Sequence, residues 1–317
     1  MAVLERLFAP VFPPDVFVLR DAGASYFHFD SPRKGEWRLA AARESDFPPD
    51  AWHDQTLGKT PAGPRVLADM IEGARRLAGG RLSRASVVIP DSWIRVFLVD
   101  FEEATGSAKE IEEMISWKLK KLLPFRPEEF RFVWSPVQMS GQKKCFVVGV
   151  LDRVALGIES SFAELGIRVG SIEAESFAVS RLPSPASPSS PVDEFVLLAA
   201  GGHGFQILIV RSGEPLLYRS KKFLGEEGKE HDGLVKRELD LTRAFLASGK
   251  GLPGRCRVWR DPAAPPIDLA ALAGEVVGGE IEEIRLPPAI EVPREFPPQL
   301  VARAAVAAGT FFGRSRP

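Results

Sequence analysis

A chain of 317 residues, 45% apolar and 26% charged, has the composition of a soluble globular protein and the length for two domains. Its 41 Lys and Arg balance 42 Asp and Glu, which argues against a broad nucleic-acid footprint or an acidic tail. Two cysteines, Cys145 and Cys256, exclude a disulfide framework or a Cys-rich zinc site, and the scattered histidines His28, His53, His203 and His231 form no zinc-hydrolase pattern.

The N-terminal Met1–Phe8 lacks a basic leader and carries Glu5 and Arg6, so it does not read as a secretory signal. Two readings stand for it: a short amphipathic helix touching a membrane or partner, or a frayed terminal turn. Asp15–Leu19 and Tyr26–Asp30 read as strands around the turn Asp21-Ala-Gly-Ala-Ser25, and Glu36–Ala41 as a third. Pro64–Leu77 has helical spacing, with Gly79-Gly80 past its end. Ala85–Pro90 is a β-branched run stopped by proline, and Val96–Phe101 is another strand. Ser107 to Leu123 is the strongest helix. Ser107 with Glu110 makes a capping box, Ile111, Ile115, Leu119 and Leu122 form the stripe, and Pro124 ends it. Phe130–Val137 and Lys143–Leu151 read as strands about Ser140-Gly141. A helix Val154–Leu165 closed by Gly166 follows, then a strand Ile167–Ile172 and a short helix Glu175–Arg181.

Arg181–Val192 is rich in Pro and Ser and reads as a semi-rigid linker. Beyond it, Phe195–Ala200, Phe205–Arg211 and Pro215–Lys221 form a meander with turns at Gly202-His203 and Ser212-Gly213. Gly233–Ala247 is an amphipathic helix, Cys256–Arg260 a strand, Leu269–Val276 a weak helix and Ile281–Leu286 a strand. Pro298–Phe312 is a helix of small residues. No segment spans a membrane: Leu300–Phe312, the longest candidate, falls short of ~20 apolar residues and contains Arg303. Both halves open strand, Gly-containing turn, strand, strand, then helix, which points to a duplicated α/β fold.

Ser86-Val-Val-Ile-Pro-Asp-Ser-Trp-Ile-Arg95, followed by Glu110-Ile-Glu-Glu-Met-Ile-Ser-Trp-Lys-Leu-Lys-Lys-Leu-Leu-Pro-Phe125, resembles the PilM family. These are actin-like cytoplasmic proteins of type IV pilus assembly, related to FtsA and to the cytoplasmic part of GspL. Asp21-Ala-Gly-Ala-Ser25 is similar to the family's first turn. Gly201–Val210 with Arg211-Ser-Gly-Glu-Pro215 is similar to its second turn and hairpin. The resemblance is strong over 84–180 and ordered but weaker elsewhere. It implies an actin-like, ribonuclease-H-like two-domain ATPase fold of the α/β class, with a small α+β subdomain inserted in the first domain. The first domain would take 8–92 and 166–182, the insert 93–165, the linker 183–192 and the second domain 193–317. It further implies a scaffold at the inner face of the inner membrane that holds the N-terminal tail of a PilN-type membrane protein and so joins the PilN–PilO complex. No nucleic acid is expected as partner. The alternatives are an active actin-like ATPase or small-molecule kinase, with Asp91 as the loosely placed catalytic candidate, or a GspL-like secretion protein.

For ATP and Mg²⁺ the resemblance singles out Asp21, Gly23 and Ser25 in the first turn and Gly201 and Gly202 in the second. Gly turns present backbone N–H groups to phosphates, and hard divalent ions take carboxylate oxygens. His28 stands where the family often has Lys. The second carboxylate falls on Ala199 or Ala200, and Gly278-Gly279 is out of place for an adenine loop. The nucleotide site therefore reads as degraded, and no catalytic residue or metal ligand is assigned. For the partner, Trp93, Arg95, Trp117, Lys118 and Phe125 are the candidates, read either as a peptide-gripping groove or as plain core. Lys118 lies on the apolar side of its helix, where it snorkels or meets a partner's oxygen. Lys109, Lys118, Lys120 and Lys121 with Arg126 and Arg131 form a basic cluster, either a solvated face or an anionic contact. His203 reads as a catalytic base or as a turn residue; no nucleophile pattern accompanies it.

Overall fold

The computed structural model describes residues 13–31, 36–63, 65–100, 107–139, 141–184, 194–223, 228–247 and 251–311. Met1–Phe8, Pro64, Phe101, Ser140, most of the linker and Phe312 lie outside them. The first half opens with strands β1 (Asp15–Arg20), β2 (Gly23–Asp30) and β3 (Trp37–Asp46), then the short pair β4 (Trp52–Asp54) and β5 (Lys59–Pro61). Helix α1 (Ala68–Leu77) leads to β6 (Arg84–Ile89). The chain then leaves the sheet. It forms β7 (Ile94–Asp100), helix α2 (Ala108–Leu119), β8 (Phe130–Met139) and β9 (Gln142–Leu151), and returns through α3 (Asp152–Ala163) to β10 (Arg168–Ala174) and α4 (Glu175–Ser180). The second half runs β11 (Phe195–Gly201), β12 (Gly204–Arg211), β13 (Glu214–Lys222), α5 (Gly228–Leu246), β14 (Arg255–Arg260), α6 (Leu269–Val277), β15 (Glu280–Glu283), β16 (Ile290–Glu291) and α7 (Pro298–Gly309).

The two main sheets share one order. The first runs β10-β6-β1-β2-β3-β16 and the second β13-β12-β11-β14-β15. In each, an antiparallel meander is extended by parallel strands on the free side of its first strand. Period-two alternation assigns each face. Phe17 and Leu19 of β1 face a core built with α1 and α3, while Val16 and Val18 face one built with α4 and α7. Leu197 and Ala199 of β11 share that middle core, and Val196, Leu198 and Ala200 face α5 and α6. The layers therefore alternate helices, sheet, helices, sheet, helices.

Residues 94–151 form a separate antiparallel sheet, β7-β9-β8. Cys145 and Val147 of β9 pack with the buried stripe of α2, Ile111, Ile115 and Leu119; Phe146 faces the middle core. The Ser107 capping box forms as the sequence predicts. The regular helix stops at Leu119 rather than Leu123, where the N–H groups of Lys121 and Leu122 bond three residues back, to the carbonyls of Lys118 and Leu119, and tighten the turn.

Three other elements differ from expectation. β2 begins at Gly23, since Gly23 pairs directly with Arg20 and leaves a two-residue turn. The β4/β5 pair is too short and polar to show a strand pattern. β16 is also unexpected: its two residues, from the second half of the chain, pair in parallel with Trp37 and Arg38 at the edge of the first sheet. Helix α7 then packs against α4, β1 and β2. Gly309 permits that crossing, because a Cβ there would collide with the Ala178 carbonyl.

Candidate functional site

Parallel strands aim their C-terminal ends at the crevice where such folds hold ligands. Here β1, β6, β10 and β14 end in carboxylates, Asp21, Asp91, Glu175 and Asp261, and all four line one recess of about 150 Å³. Asp21 also borders the wider cleft between the halves, about 1050 Å³, with Lys59, Trp93, Arg95, His203 and Lys222.

Three of the four carboxylates are claimed from within the chain. Asp21 Oδ1 accepts a hydrogen bond from the Trp93 indole at 3.1 Å, and Lys59 stands 3.8 Å away. His203 Nε2 lies 3.1 Å from the other oxygen, so this contact bridges the cleft. Asp91 is buried; it accepts from the Ser176 hydroxyl at 2.5 Å, the Ser176 N–H at 3.0 Å and the Tyr218 hydroxyl at 2.9 Å. Burial pushes its carboxyl up against the opposing pull of those bonds. A base for a kinase reaction must reach substrate, and this oxygen pair is enclosed. Asp261 accepts from Arg303 Nε at 3.0 Å and from its second terminal nitrogen at 3.2 Å. Arg303 also bonds Glu44, which pairs with Arg20 at 2.7 Å, so the network joins both halves.

Burial, followed by the charges of Asp261 and Asp91, holds the Glu175 carboxyl well above its ordinary value of 4.5, against the pull of Arg303 and Arg20. A carboxyl raised on folding binds its proton more tightly in the folded state, so it destabilises progressively as pH rises above the ordinary value. Glu175→Gln keeps the shape without the charge. The variant is expected to match wild type in acid and to exceed it in thermal midpoint as pH approaches neutrality. A difference that stays constant with pH would refute this.

The hairpin registers compare the two turns. Arg20 pairs with Gly23, and Gly201 with Gly204, so Gly202 is the counterpart of Asp21. The missing second carboxylate thus falls at Gly202 rather than at Ala199 or Ala200, which are both buried strand residues. Gly23 and Gly204 have the same steric reason to be glycine. A Cβ at either would strike the carbonyl of the third strand, Ser45 or Lys221. Ser25 is fully buried within β2, its hydroxyl turned away from the cleft's solvent. Gly278 ends α6 in the left-handed conformation, φ 67°, so it serves as a helix cap. At the first turn Asp21 is met by an indole, an imidazole and an ammonium group, and at the matching position of the second turn stands a glycine, Gly202.

Trp93 is 1% exposed and packs edge-on against Trp52 with centroids 5.3 Å apart. Trp117 lies on the outer side of α2, 62% exposed. Phe125 packs near Phe130, centroids 6.1 Å apart. Lys118 donates to the Asp100 carbonyl at 2.6 Å, so its ammonium is taken by this chain's own backbone. Trp93 and Arg95 border the large cleft, while Trp117, Lys118 and Phe125 belong to the insert.

A second concavity, about 540 Å³, lies where the insert meets the first sheet. Its walls are the edge strands β8 (Arg131, Phe132, Val133) and β10 (Val169–Ala174). None of Trp93, Arg95, Trp117, Lys118 and Phe125 lines it. The signal for it in the sequence was weak: Val133 is an exposed β-branched residue, 72%, on a strand whose neighbours alternate.

No family model and no curated relative matches the sequence. Among solved structures, the chain is similar to one in a PilM–PilN type IV pilus biogenesis complex, with TM-score 0.74 and 17% identity over 97% of this chain and 100% of that one. It is also similar to the cytoplasmic domain of EpsL, an inner membrane component of the type II secretion system of Vibrio cholerae. That match has TM-score 0.50 and 10% identity, over 92% and 93% of the two chains. The fold is actin-like. The likeness read from residues 84–180 therefore extends, as fold, along almost the whole chain. Among the described residues, no helix is long and apolar enough to cross a membrane.

Proposed function

We propose that this chain is a non-catalytic scaffold of the PilM kind, working in the cytoplasm at the inner membrane by holding the tail of a PilN-type membrane protein. The observation that carries the reading is the concavity between β8 and β10. Edge strands present unpaired backbone N–H and C=O groups, and an extended peptide can add to them while its alternate side chains enter pockets. Two such edges border one groove, with Phe132 and Ile172 as apolar walls and Arg131, Glu159, Glu173 and Arg181 as polar groups. The neighbour sharing this fold was solved as a PilM–PilN complex, which supports a partner of that class.

Calorimetric titration with a synthetic N-terminal tail of the cognate PilN-type protein tests the reading. Phe132→Ala is expected to weaken binding by about 2 kcal/mol, roughly thirtyfold, as for an aromatic anchor. Val133→Asp should weaken it as well, while Trp117→Ala should leave it unchanged. Loss in Trp117→Ala alone would move the site to α2, and no binding by wild type would remove the scaffold reading.

The engaged Asp21 and the glycine at position 202 support a vestigial nucleotide site. ATP with Mg²⁺ is expected to show no turnover above background. A turnover that Asp21→Ala abolishes would favour the ATPase alternative.

A further inference from the structure

Helix α2 buries Ile111, Ile115 and Leu119 against the insert's sheet, yet one turn at its C-terminal end is apolar on the outside too. Trp117 is 62% and Leu122 56% exposed. Among the described residues, the Lys121 ammonium lies over the indole, 5.1 Å from the ring centroid. Lys120 and Lys121 are exposed, and neither pairs with a carboxylate among the described residues. The helix is polar along its length: Glu110, Glu112 and Glu113 are exposed in its first turns beside a single lysine, Lys109, which pairs with Glu113, and Lys118, Lys120 and Lys121 lie at its other end.

We infer that this turn is a contact for an anionic bilayer surface, approached by the C-terminal end of α2. An indole suits the headgroup level, where its apolar ring and N–H are both satisfied, and the exposed Leu122 suits the acyl boundary. Lys120 and Lys121, with no carboxylate partner among the described residues, complement anionic headgroups, and the glutamates at the opposite end keep the rest of the helix off the surface. A protein partner would need a patch of about 1,000 Å² or more, whereas a bilayer can be engaged by the few side chains of one turn. The contact does not depend on the peptide groove, which lies between β8 of the insert and β10 of the first sheet.

The test is cosedimentation of the full chain with vesicles of equimolar phosphatidylglycerol and phosphatidylethanolamine, and with pure phosphatidylcholine. Wild type is expected to bind the anionic vesicles, to lose that binding in high salt and to ignore phosphatidylcholine. Lys120→Glu with Lys121→Glu should weaken binding by at least about tenfold. Trp117→Ala with Leu122→Ala should also weaken it by about tenfold or more. Both pairs are exposed, so folding should persist by circular dichroism. Lys109→Glu, at the acidic end, should bind as wild type. Failure of wild type to bind anionic vesicles, equal binding to phosphatidylcholine, or undiminished binding by both double variants overturns the inference. Binding of polyglutamate with vesicles ignored would assign the turn to an acidic protein and overturn it likewise.

Discussion

Arg303→Ala is expected to lower the thermal midpoint of unfolding by on the order of 10 °C. The guanidinium is 5% exposed and holds Asp261 with two hydrogen bonds and Glu44 with another. Removing it leaves Asp261, itself 5% exposed, as an unpaired buried charge beside Glu175. Breaking a buried pair from one side typically costs about 3–5 kcal/mol, mostly through the charge left behind. Arg303 reaches both halves of the chain, so the loss should appear in one transition. A calorimetric scan showing a separate early transition for one half would contradict this. Adding Asp261→Ala to Arg303→Ala should recover part of the loss, because the orphaned charge goes with it.

A comparable loss is expected at Arg257, for a different reason. This side chain is 1% exposed and bonds Glu282 at 3.0 Å, the Ser180 carbonyl at 3.1 Å and the Pro183 carbonyl at 3.4 Å. Ser184 donates to the same Glu282 at 2.5 Å. The guanidinium thus pins the end of α4 and the entry to the linker onto the second sheet. Arg257→Ala should cost about 3–5 kcal/mol and should also raise amide exchange at 180–184, where the freed carbonyls anchor the chain. A pair of apolar replacements, Arg257→Met with Glu282→Met, should restore most of the midpoint, since removing both charges avoids the uncompensated one. If exchange at 180–184 is unmoved while stability falls, Arg257 acts only within the second sheet.

The strands of both sheets were legible because Val, Ile and Leu run in short blocks bounded by Gly, Pro and charge. The capping box at Ser107 and the left-handed glycine at Gly166 were equally plain, being local chemistry. Elements whose partners lie far along the chain were not. β16 has only two residues and exists because the edge of β3 accepts them. Within the site, Asp21 stood out as a turn aspartate, but its capture by Trp93 and His203 depends on residues 72 positions away and in the other half. Glu175, Asp261 and Arg303 had no motif. A sequence signal was available for the first two: each acidic residue directly follows a short parallel strand, which is where such a sheet places its crevice. Arg303 had none, since a lone arginine among alanines shows its role only when Glu44, 259 positions earlier, is brought to it.

The return of residues 290–309 to the first half governs the order in which the chain is completed. During synthesis, folding normally proceeds unit by unit from the N-terminus. Here the β3 edge waits for Ile290 and Glu291, and Val16, Val18, Phe27 and Phe29 wait for the cover of α7. The first half therefore emerges from the ribosome with that sheet face covered by α4 alone, and keeps it so until residues 290–309 have been made. A chain cut short before Ile290 would be a fragment whose earliest-made strands carry that exposed face, a substrate for chaperones and proteases rather than a smaller working domain.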